Sequence, residues 1–217
     1  MYHQISTDLL NHLKRELPSL QGGTTFNIGQ ISIEVEGKDG LGGLIEEWFG
    51  RWAEANNYAV FDPKKLGNSQ KFPDYYVGHQ QEGLLEIKSF DTDASANFDI
   101  ANFESYCESL SYNPNRVNSD YLIFGYKLEG STLKIENVWL KKIWEITCPS
   151  QRWPLKTQTK RDVIYNIRPA AWHKNNTRFD VFSSKNDFVN ALYQTQKQYL
   201  NISESNDELR YRQATRT

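Results

Sequence analysis

The 217-residue sequence predicts one domain with a mixed α/β (α+β) fold, on three observations. Two short apolar runs flank a polar, glycine-containing centre between Phe72 and Phe90, as in a β-hairpin. The stretch 38–58 places its apolar residues on one wide helical face. The second arm of this hairpin is followed by a helical pattern over 96–110 and then by a strand pattern over 121–128. This order indicates a crossover connection and partly parallel pairing.

The composition of the chain favours a soluble globular protein over a secreted or membrane protein. Charged residues at 24% and aromatic residues at 13% suit a soluble globular protein, and the net charge of −2 gives no global signal of a nucleic-acid partner. Two cysteines form no disulfide framework and suit a reducing compartment. The polar N-terminus is unlike a signal peptide, and no apolar run approaches the ~18 residues of a membrane helix. We expect a cytoplasmic protein without a membrane partner.

The first part of the chain predicts a helix, a strand and a second helix. Ser6 or Thr7 is the expected cap of the first helix, which Pro18 stops. Alternating apolar residues over 26–37 predict a strand or hairpin arm. The amphipathic helix described above comes next, and a short strand or connector at 58–61 leads towards the hairpin.

The second part predicts two helices around a pair of strands. Apolar residues recur at helical spacing over 96–110, and Asn113-Pro114-Asn115 breaks this helix. The strands at 121–128 and 133–140 are joined by a turn and should pair. A capping box opens the last helix at 184–200, and the polar tail after it should fray.

The hairpin brings three charged side chains together. Glu86 and Lys88 are two residues apart in a strand, so their side chains leave the same face, and pairing brings Asp74 beside them. Placing two carboxylates and one ammonium side by side on a sheet surface costs free energy unless another group bridges them. Mg²⁺ is the obvious bridge because it prefers oxygen ligands. We expect Asp74 and Glu86 to hold the ion, with the carbonyl of Ile87 as a further ligand.

This arrangement suits phosphodiester hydrolysis. A metal ion polarises the phosphate and lowers the pKa of a bound water. Lys88 would orient that water and stabilise the developing negative charge. To act as a base, Lys88 would need a pKa far below about 10.4. We therefore assign Lys88 an electrostatic and positioning role.

Pro73-Asp74, eleven intervening residues and then Glu86-Ile87-Lys88 resemble the PD-(D/E)xK nuclease motif. The resemblance covers about 41–128 and implies a restriction-endonuclease-like core, a central mixed β-sheet flanked by helices. In that superfamily the preceding helix often adds a glutamate near the metal. Glu46 is the preferred match because of its spacing to the apolar residues behind it, and Glu47 is a close second.

Size and a single nuclease core make the chain most similar to a type II restriction endonuclease. The resemblance implies Mg²⁺-dependent cleavage of double-stranded DNA at a specific sequence, with Mn²⁺ as a substitute ion. It also implies a homodimer, because a two-fold protein matches a two-fold DNA site. Within one domain over 1–217, the catalytic core would span about 38–128 and a DNA-contacting region about 148–200.

The DNA-contacting region is predicted from local charge. Asp162 is the only acidic residue between Cys148 and Arg178, and tryptophans lie among the basic residues of this segment. Arginine and lysine pair with phosphates and can read guanine edges. The predicted contacts are Arg152, Lys156, Lys160, Arg161, Arg168, His173 and Lys174. The polar loop before the hairpin, which includes Lys64 and Lys71, is a second candidate.

Two other functions compete with this interpretation. Within the superfamily, the alternative is a structure-specific nuclease such as a Holliday-junction resolvase or a repair enzyme. In another class, the chain would be a DNA-binding module without activity. Asp74, Glu86 and Lys88 are all present, which argues against an inactive site. The basic segment favours a sequence-specific enzyme over a structure-specific one.

Overall fold

The structure is a computed structural model that describes residues 1–35, 37–67, 72–175 and 177–216. Lys71, a predicted DNA contact, lies outside the described residues. The chain forms two compact units, each built from two stretches of sequence. The first unit comprises 1–95 and 120–140, and the second comprises 96–119 and 141–217.

Strands and helices are numbered in chain order within the described residues. The strands are β1 Gln21–Gly23, β2 Thr25–Ile28, β3 Ile31–Glu34, β4 Val60–Phe61, β5 Tyr75–Val77, β6 Gly83–Asp91, β7 Ala101–Asn102, β8 Asp120–Glu129, β9 Thr132–Lys142, β10 Thr157–Lys160 and β11 Val163–Ile167. The helices are α1 Gln4–Glu16, α2 Leu41–Ala55, α3 Phe103–Tyr112, α4 Lys185–Leu200 and α5 Asn206–Ala214. The mixed α/β fold class is confirmed.

A mixed sheet in the order β1-β9-β8-β6-β5-β4 forms the centre of the first unit. β5 and β6 pair antiparallel, with Tyr75 opposite Leu85, so the predicted hairpin is present. β6 and β8 pair parallel, with Glu86 opposite Tyr121, which confirms the predicted crossover. The first seven residues of β8 are all buried, as expected for a parallel strand covered on both faces.

The helices α1 and α2 supply apolar side chains to the core of the first unit. Ile45, Phe49 and Ala53 are buried at helical spacing on α2 and belong to the same cluster as the apolar residues of β5, β6 and β8. The helix α1 begins earlier than predicted. His3 is its N-cap and accepts a hydrogen bond from the main-chain N–H of Ile5.

The second unit contains a small sheet in the order β10-β11-β7, together with α3, α4 and α5. The predicted helix over 96–110 is wrong in its first half. Ala101 and Asn102 pair with β11, and the Asn102 side chain accepts from the N–H of Ser105, so α3 starts at Phe103. The predicted frayed tail is wrong as well, because Ser205 caps the helix α5.

Within the part of the chain that the structure describes, no helix has the length and apolar character needed to cross a bilayer.

Candidate active site

The hairpin β5–β6 positions the three charged residues of the motif. Asp74 immediately precedes β5, while Glu86 and Lys88 lie on β6. The N–H of Asp74 donates to Oε1 of Glu86 at 3.3 Å, and the N–H of Ile87 donates to Oδ2 of Asp74 at 2.8 Å. Each arm of the hairpin therefore supplies a main-chain donor to a carboxylate of the other arm, which fixes both acids.

The ammonium of Lys88 bridges the two carboxylates. Its Nζ lies 3.0 Å from Oε2 of Glu86 and 3.5 Å from Oδ2 of Asp74. Burial lowers the pKa of Lys88, but attraction to Glu86 and Asp74 outweighs it and raises the pKa above the ordinary value. A lysine held in its protonated form can stabilise negative charge but has no lone pair with which to accept a proton.

Glu46 lies on α2 and faces a different cation. Nζ of Lys64 donates to Oε1 of Glu46 at 3.1 Å. The hydrogen bond and attraction to Glu46 raise the pKa of Lys64, and Asp74 adds to the effect. Glu46 and Asp74 therefore act on one ammonium. Glu47 points elsewhere and pairs with Arg51, one turn along the exposed side of the same helix.

Tyr75 connects α2 to the hairpin. Its hydroxyl donates to the main-chain carbonyl of Glu46 at 2.9 Å, and burial raises the pKa of the phenol. A Cβ atom at Gly50 would lie 2.5 Å from the Tyr75 oxygen, so only glycine permits this approach. The sequence interpretation overlooked both residues. A glycine inside a helix, at a cost of about 1 kcal/mol, was the available signal.

The donor set suits a hard cation such as Mg²⁺. Asp74 and Glu86 provide carboxylate oxygens, and Ile87 provides a main-chain carbonyl between Glu86 and Lys88. Among the described residues, no group of three or more His, Cys, Asp or Glu side chains could hold a metal. A cation here would need water to complete its coordination, which Mg²⁺ commonly retains. Glu46 does not join the two acids in this arrangement.

Comparison with known proteins decides the family. The family model of the NgoBV restriction endonuclease matches residues 3–214. The chain belongs to the NgoBV restriction endonuclease family. The type II restriction enzyme NlaIV of Neisseria lactamica is 35% identical over 196 residues, which is 88% of this chain and 79% of the relative. The type II restriction enzyme NgoBV of Neisseria gonorrhoeae is 32% identical over 162 residues, covering 73% and 89%.

A solved structure supports the same assignment. The NlaIV restriction endonuclease superposes with a TM-score of 0.86 at 30% identity, covering 97% of this chain and 88% of that chain. The predicted PD-(D/E)xK type II restriction endonuclease is confirmed, and so is its fold class. The predicted enzyme class, a type II site-specific deoxyribonuclease, is confirmed by the same relatives.

In this NgoBV-family chain, two of the predicted DNA contacts have partners inside the second unit. Nζ of Lys156 donates to the carbonyl of Pro169 at 2.7 Å. Arg168 forms an ion pair with Asp99 at 2.9 Å and also donates to the carbonyl of Asn97. Both side chains hold loop backbone in place, so each has a structural role in this family member whether or not it contacts DNA.

Other predicted contacts of the NgoBV-family chain surround the turn between β10 and β11. Lys160 and Arg161 are exposed, and Arg161 and Asp162 both have positive φ, as in a type I′ turn. Arg152 lies over the ring of Trp153 at 4.9 Å and donates to Asp162 at 2.8 Å. This turn presents a small group of cations to solvent.

The remaining two contacts predicted for this NgoBV-family chain are neighbours in sequence. Lys174 is exposed, whereas His173 is only partly exposed. Burial and the adjacent Lys174 lower the pKa of His173, so the imidazole is neutral near pH 7. Lys174 is therefore the better candidate of the pair for a phosphate contact.

Proposed function

We propose that the chain is a Mg²⁺-dependent endonuclease that hydrolyses phosphodiester bonds at a specific sequence in double-stranded DNA, acting as a homodimer. The observation that carries this proposal is the joined arrangement of Asp74, Glu86 and Lys88 on one hairpin. Family membership supplies the class of reaction, and the relatives NlaIV and NgoBV are type II restriction enzymes. Asp74, Glu86 and the carbonyl of Ile87 would hold the ion.

A bound divalent cation would withdraw charge from the scissile phosphate and make a nearby water more acidic. The chain itself fixes the two carboxylates, because main-chain donors hold one oxygen of each before substrate arrives. Lys88 keeps a positive charge beside them. That charge favours the transition state, in which negative charge grows on the phosphate oxygens. Hydrolysis adds water across one P–O bond and leaves a phosphate end and a hydroxyl end.

Glu46 is proposed as an additional acidic member of the site. Its carboxylate and that of Asp74 both attract the ammonium of Lys64. Its main-chain carbonyl accepts a hydrogen bond from Tyr75, the residue after Asp74. In this role Glu46 would exchange its contact with Lys64 for a contact with the ion or an ordered water. Glu47, which faces Arg51, has no comparable connection to the hairpin.

The exposed cations of the second unit are the proposed phosphate contacts. Lys160, Arg161 and Lys174 have solvent-exposed side chains, and within the described part of the chain none of them forms an internal ion pair. Arg152 shares its charge with Asp162 and stacks on Trp153. Phosphate contacts position DNA without reading sequence, so base recognition requires further side chains. Both cysteines are buried and unpaired, which suits the cytoplasm.

Plasmid cleavage tests the proposal directly. The purified chain is incubated with plasmid DNA and Mg²⁺, with EDTA in parallel and with Asp74→Asn as the inactive variant. Asp39→Asn, an exposed acid of the same unit, is the matched control. We expect discrete fragments from the wild type and from Asp39→Asn only. Cleavage confined to branched DNA would favour a resolvase, and binding without any cleavage would refute the catalytic assignment.

A further inference from the structure

The strands β10 and β11 have one face turned inward and one face turned to solvent. Ile164 is buried, and Thr159 lies opposite it in the sheet. Nε1 of Trp153 donates to the hydroxyl of Thr159 at 3.3 Å, so Thr159 points inward as well. Alternate residues of a strand share a face. Gln158 and Lys160, on either side of Thr159, therefore point outward.

A β-bulge brings two consecutive residues of β11 onto the outward face. The register of β10 against β11 shifts by one residue at Tyr165. Ile164 and Ile167 are both buried, although residues three apart in a regular strand face opposite ways. Between them, Tyr165 is 45% exposed and Asn166 is partly exposed. The extra residue of the bulge thus places Asn166 on the same face as Gln158, its partner across the strands.

The side chains of Gln158 and Asn166 form a hydrogen-bonded pair of amides. Nδ2 of Asn166 donates to Oε1 of Gln158 at 3.1 Å. This bond uses the nitrogen of one amide and the oxygen of the other. Within the described part of the chain, Oδ1 of Asn166 and Nε2 of Gln158 make no hydrogen bond. The pair therefore presents one acceptor and one donor on the outward face.

The edge strand β7 holds the bulge in place. Asn102 lies opposite Asn166 in the sheet. Its Nδ2 donates to the carbonyl of Tyr165 at 3.1 Å, and its Oδ1 accepts from the N–H of Ser105 at 3.0 Å. Asn102 thus connects the bulged strand to the start of α3. The amide pair is positioned before any ligand arrives, so binding loses less conformational entropy.

The hydrogen-bonding pattern of the pair fits the edge of a base pair. Phosphate oxygens only accept hydrogen bonds, so a phosphate would leave Oδ1 of Asn166 without a donor. In the major groove, adenine offers N7 as an acceptor beside its N6 amino group. A G·C pair offers guanine O6 as an acceptor beside the N4 amino group of cytosine. Each of these edges is complementary to one donor and one acceptor.

The surroundings of the pair suit DNA. A two-stranded β-ribbon fits the major groove, and β10–β11 is such a ribbon. Lys160 and Arg161 at its turn are exposed and supply cations for phosphates. Val163 and Tyr165 are 43% and 45% exposed, and they add apolar surface to the same strand. Apolar surface contacts bases, such as the methyl group of thymine, better than it contacts phosphates.

We propose that Gln158 and Asn166 read one base pair of the DNA site in the major groove. Nε2 of Gln158 donates to adenine N7 or guanine O6, and Oδ1 of Asn166 accepts from the neighbouring amino group. This inference rests on the proposed function, which assigns phosphate contacts to the β10–β11 turn but no base contact. A good bidentate contact discriminates against the wrong base by roughly 5- to 150-fold.

Gln158→Glu tests the contact with little change to the fold. A carboxylate oxygen still accepts the hydrogen bond from Asn166, whereas the donor towards DNA is lost. Gln194→Glu, on the exposed side of α4 in the same unit, controls for the added negative charge. The ends of plasmid fragments cut by the wild type define its site. The ratio kcat/KM is then measured on duplexes that each carry one altered base pair.

We expect Gln158→Glu to reduce the preference at one position of each half-site at least about fivefold. Preferences at the other positions should stay unchanged, as should all preferences of Gln194→Glu. Asn166→Ala removes the acceptor of the same pair and should relax the same position. Whether this position is A·T or G·C identifies the edge that is read. Preferences that are unchanged everywhere, or reduced alike at all positions, would overturn the proposal.

Sorting a random duplex library by binding separates this proposal from the proposed function, because binding reports sequence preference without cleavage. A chain that never cuts DNA, but prefers one sequence and loses that preference at one position in Gln158→Glu, supports the base contact and overturns the nuclease assignment. A chain that cuts at a defined site with equal preferences in wild type and Gln158→Glu overturns the base contact alone. A wild type without any sequence preference overturns both.

Discussion

The main-chain N–H of Ile87 donates to Oδ2 of Asp74 at 2.8 Å, so the second half of the motif holds the first in place. Asp74→Asn keeps an oxygen that can accept this bond, whereas Asp74→Leu leaves the donor unsatisfied. We expect Asp74→Leu to lower the free energy of unfolding by about 1–3 kcal/mol more than Asp74→Asn. Both should slow cleavage by roughly 100–1,000-fold.

Urea unfolding and single-turnover cleavage measure these two effects separately. The exposed acid Asp39 serves as the control position, with Asp39→Asn and Asp39→Leu expected to leave both quantities near wild type. Equal stability of the two Asp74 variants would show that the Ile87 hydrogen bond adds nothing to folding.

Lys88 neutralises two acids, so its removal should affect stability as well as catalysis. Lys88→Met leaves Glu86 and Asp74 without their shared, largely buried cation. We expect a loss of about 3 kcal/mol in the free energy of unfolding, as when a buried ion pair loses one partner. Mg²⁺ should restore part of it, because a ligand that binds only the folded state stabilises that state.

Thermal unfolding with and without Mg²⁺, under conditions without DNA, measures this restoration. Lys127→Met is a matched control, since Lys127 pairs with exposed Asp93 away from the motif. A Mg²⁺-induced rise in Tm no larger in Lys88→Met than in the wild type would argue against a cation taking the place of the ammonium.

The raised pKa of Lys88 also predicts how stability depends on pH. In the unfolded chain a lysine loses its proton near pH 10.4, whereas folded Lys88 retains it. The folded state then binds more protons than the unfolded state, so stability falls as the pH rises above about 10.4. Below that pH the contribution is fully present. The difference in unfolding free energy between wild type and Lys88→Met should therefore shrink between pH 10 and 12.

Chemical denaturation at several pH values gives this difference directly. Because the other lysines and tyrosines titrate in both proteins, subtraction isolates Lys88. A difference that stays constant across the range would mean that Lys88 has no raised pKa.

Glu46 and Glu47 are adjacent in sequence but face different partners. Glu46 contacts Lys64 beside the hairpin, while Glu47 pairs with Arg51 on the exposed side of α2. We expect Glu46→Gln to slow DNA cleavage at least about tenfold, since it removes one charge from the site. Glu47→Gln should stay within about twofold, as usual for a surface ion pair. The reverse order of effects would assign the additional acid to Glu47.

The β10–β11 turn is the proposed contact with DNA phosphates. Lys160→Gln, and Arg161→Asn, which tolerates the positive φ of this position, should weaken binding to all DNA sequences alike. Each should reduce the slope of log affinity against log salt by about 0.9. Arg168→Gln is a contrasting variant, because its contacts with Asp99 and Asn97 should make its main effect a loss of stability.

Fluorescence anisotropy at several salt concentrations measures the slopes, and thermal unfolding identifies damage to the fold. An unchanged slope in both turn variants would place the phosphate contacts elsewhere.

The local pattern of apolar and polar residues was sufficient to predict the hairpin β5–β6 and its charged face. The alternation of β6 sets the direction of Glu86 and Lys88, and a short antiparallel connection brings Asp74 to them. The partners of Arg168 and Lys156 could not be predicted, because Asp99 and Pro169 reach them only through folding of loops. A basic stretch in sequence does not distinguish an exposed cation from one that holds backbone.

Long-range pairing also explains the errors in the second unit. Ala101 suits a helix by propensity, but it pairs with Ile167 in the sheet. The polar segment Asn206–Ala214 has a weak apolar face, yet its Tyr211 is buried. Its cap at Ser205 also bonds to Gln196 of α4. Neither contact is visible in local composition.

Gly50 bears on the proposed arrangement of acidic residues. Because Gly50 lets the Tyr75 hydroxyl reach the helix, this position sets how closely α2 can approach the strand that follows Asp74. Any larger residue would push helix and hairpin apart and move Glu46 relative to Asp74. A residue without a side chain thus acts as a spacer between α2 and the hairpin, and the distance that it permits governs how Glu46 is placed relative to Asp74.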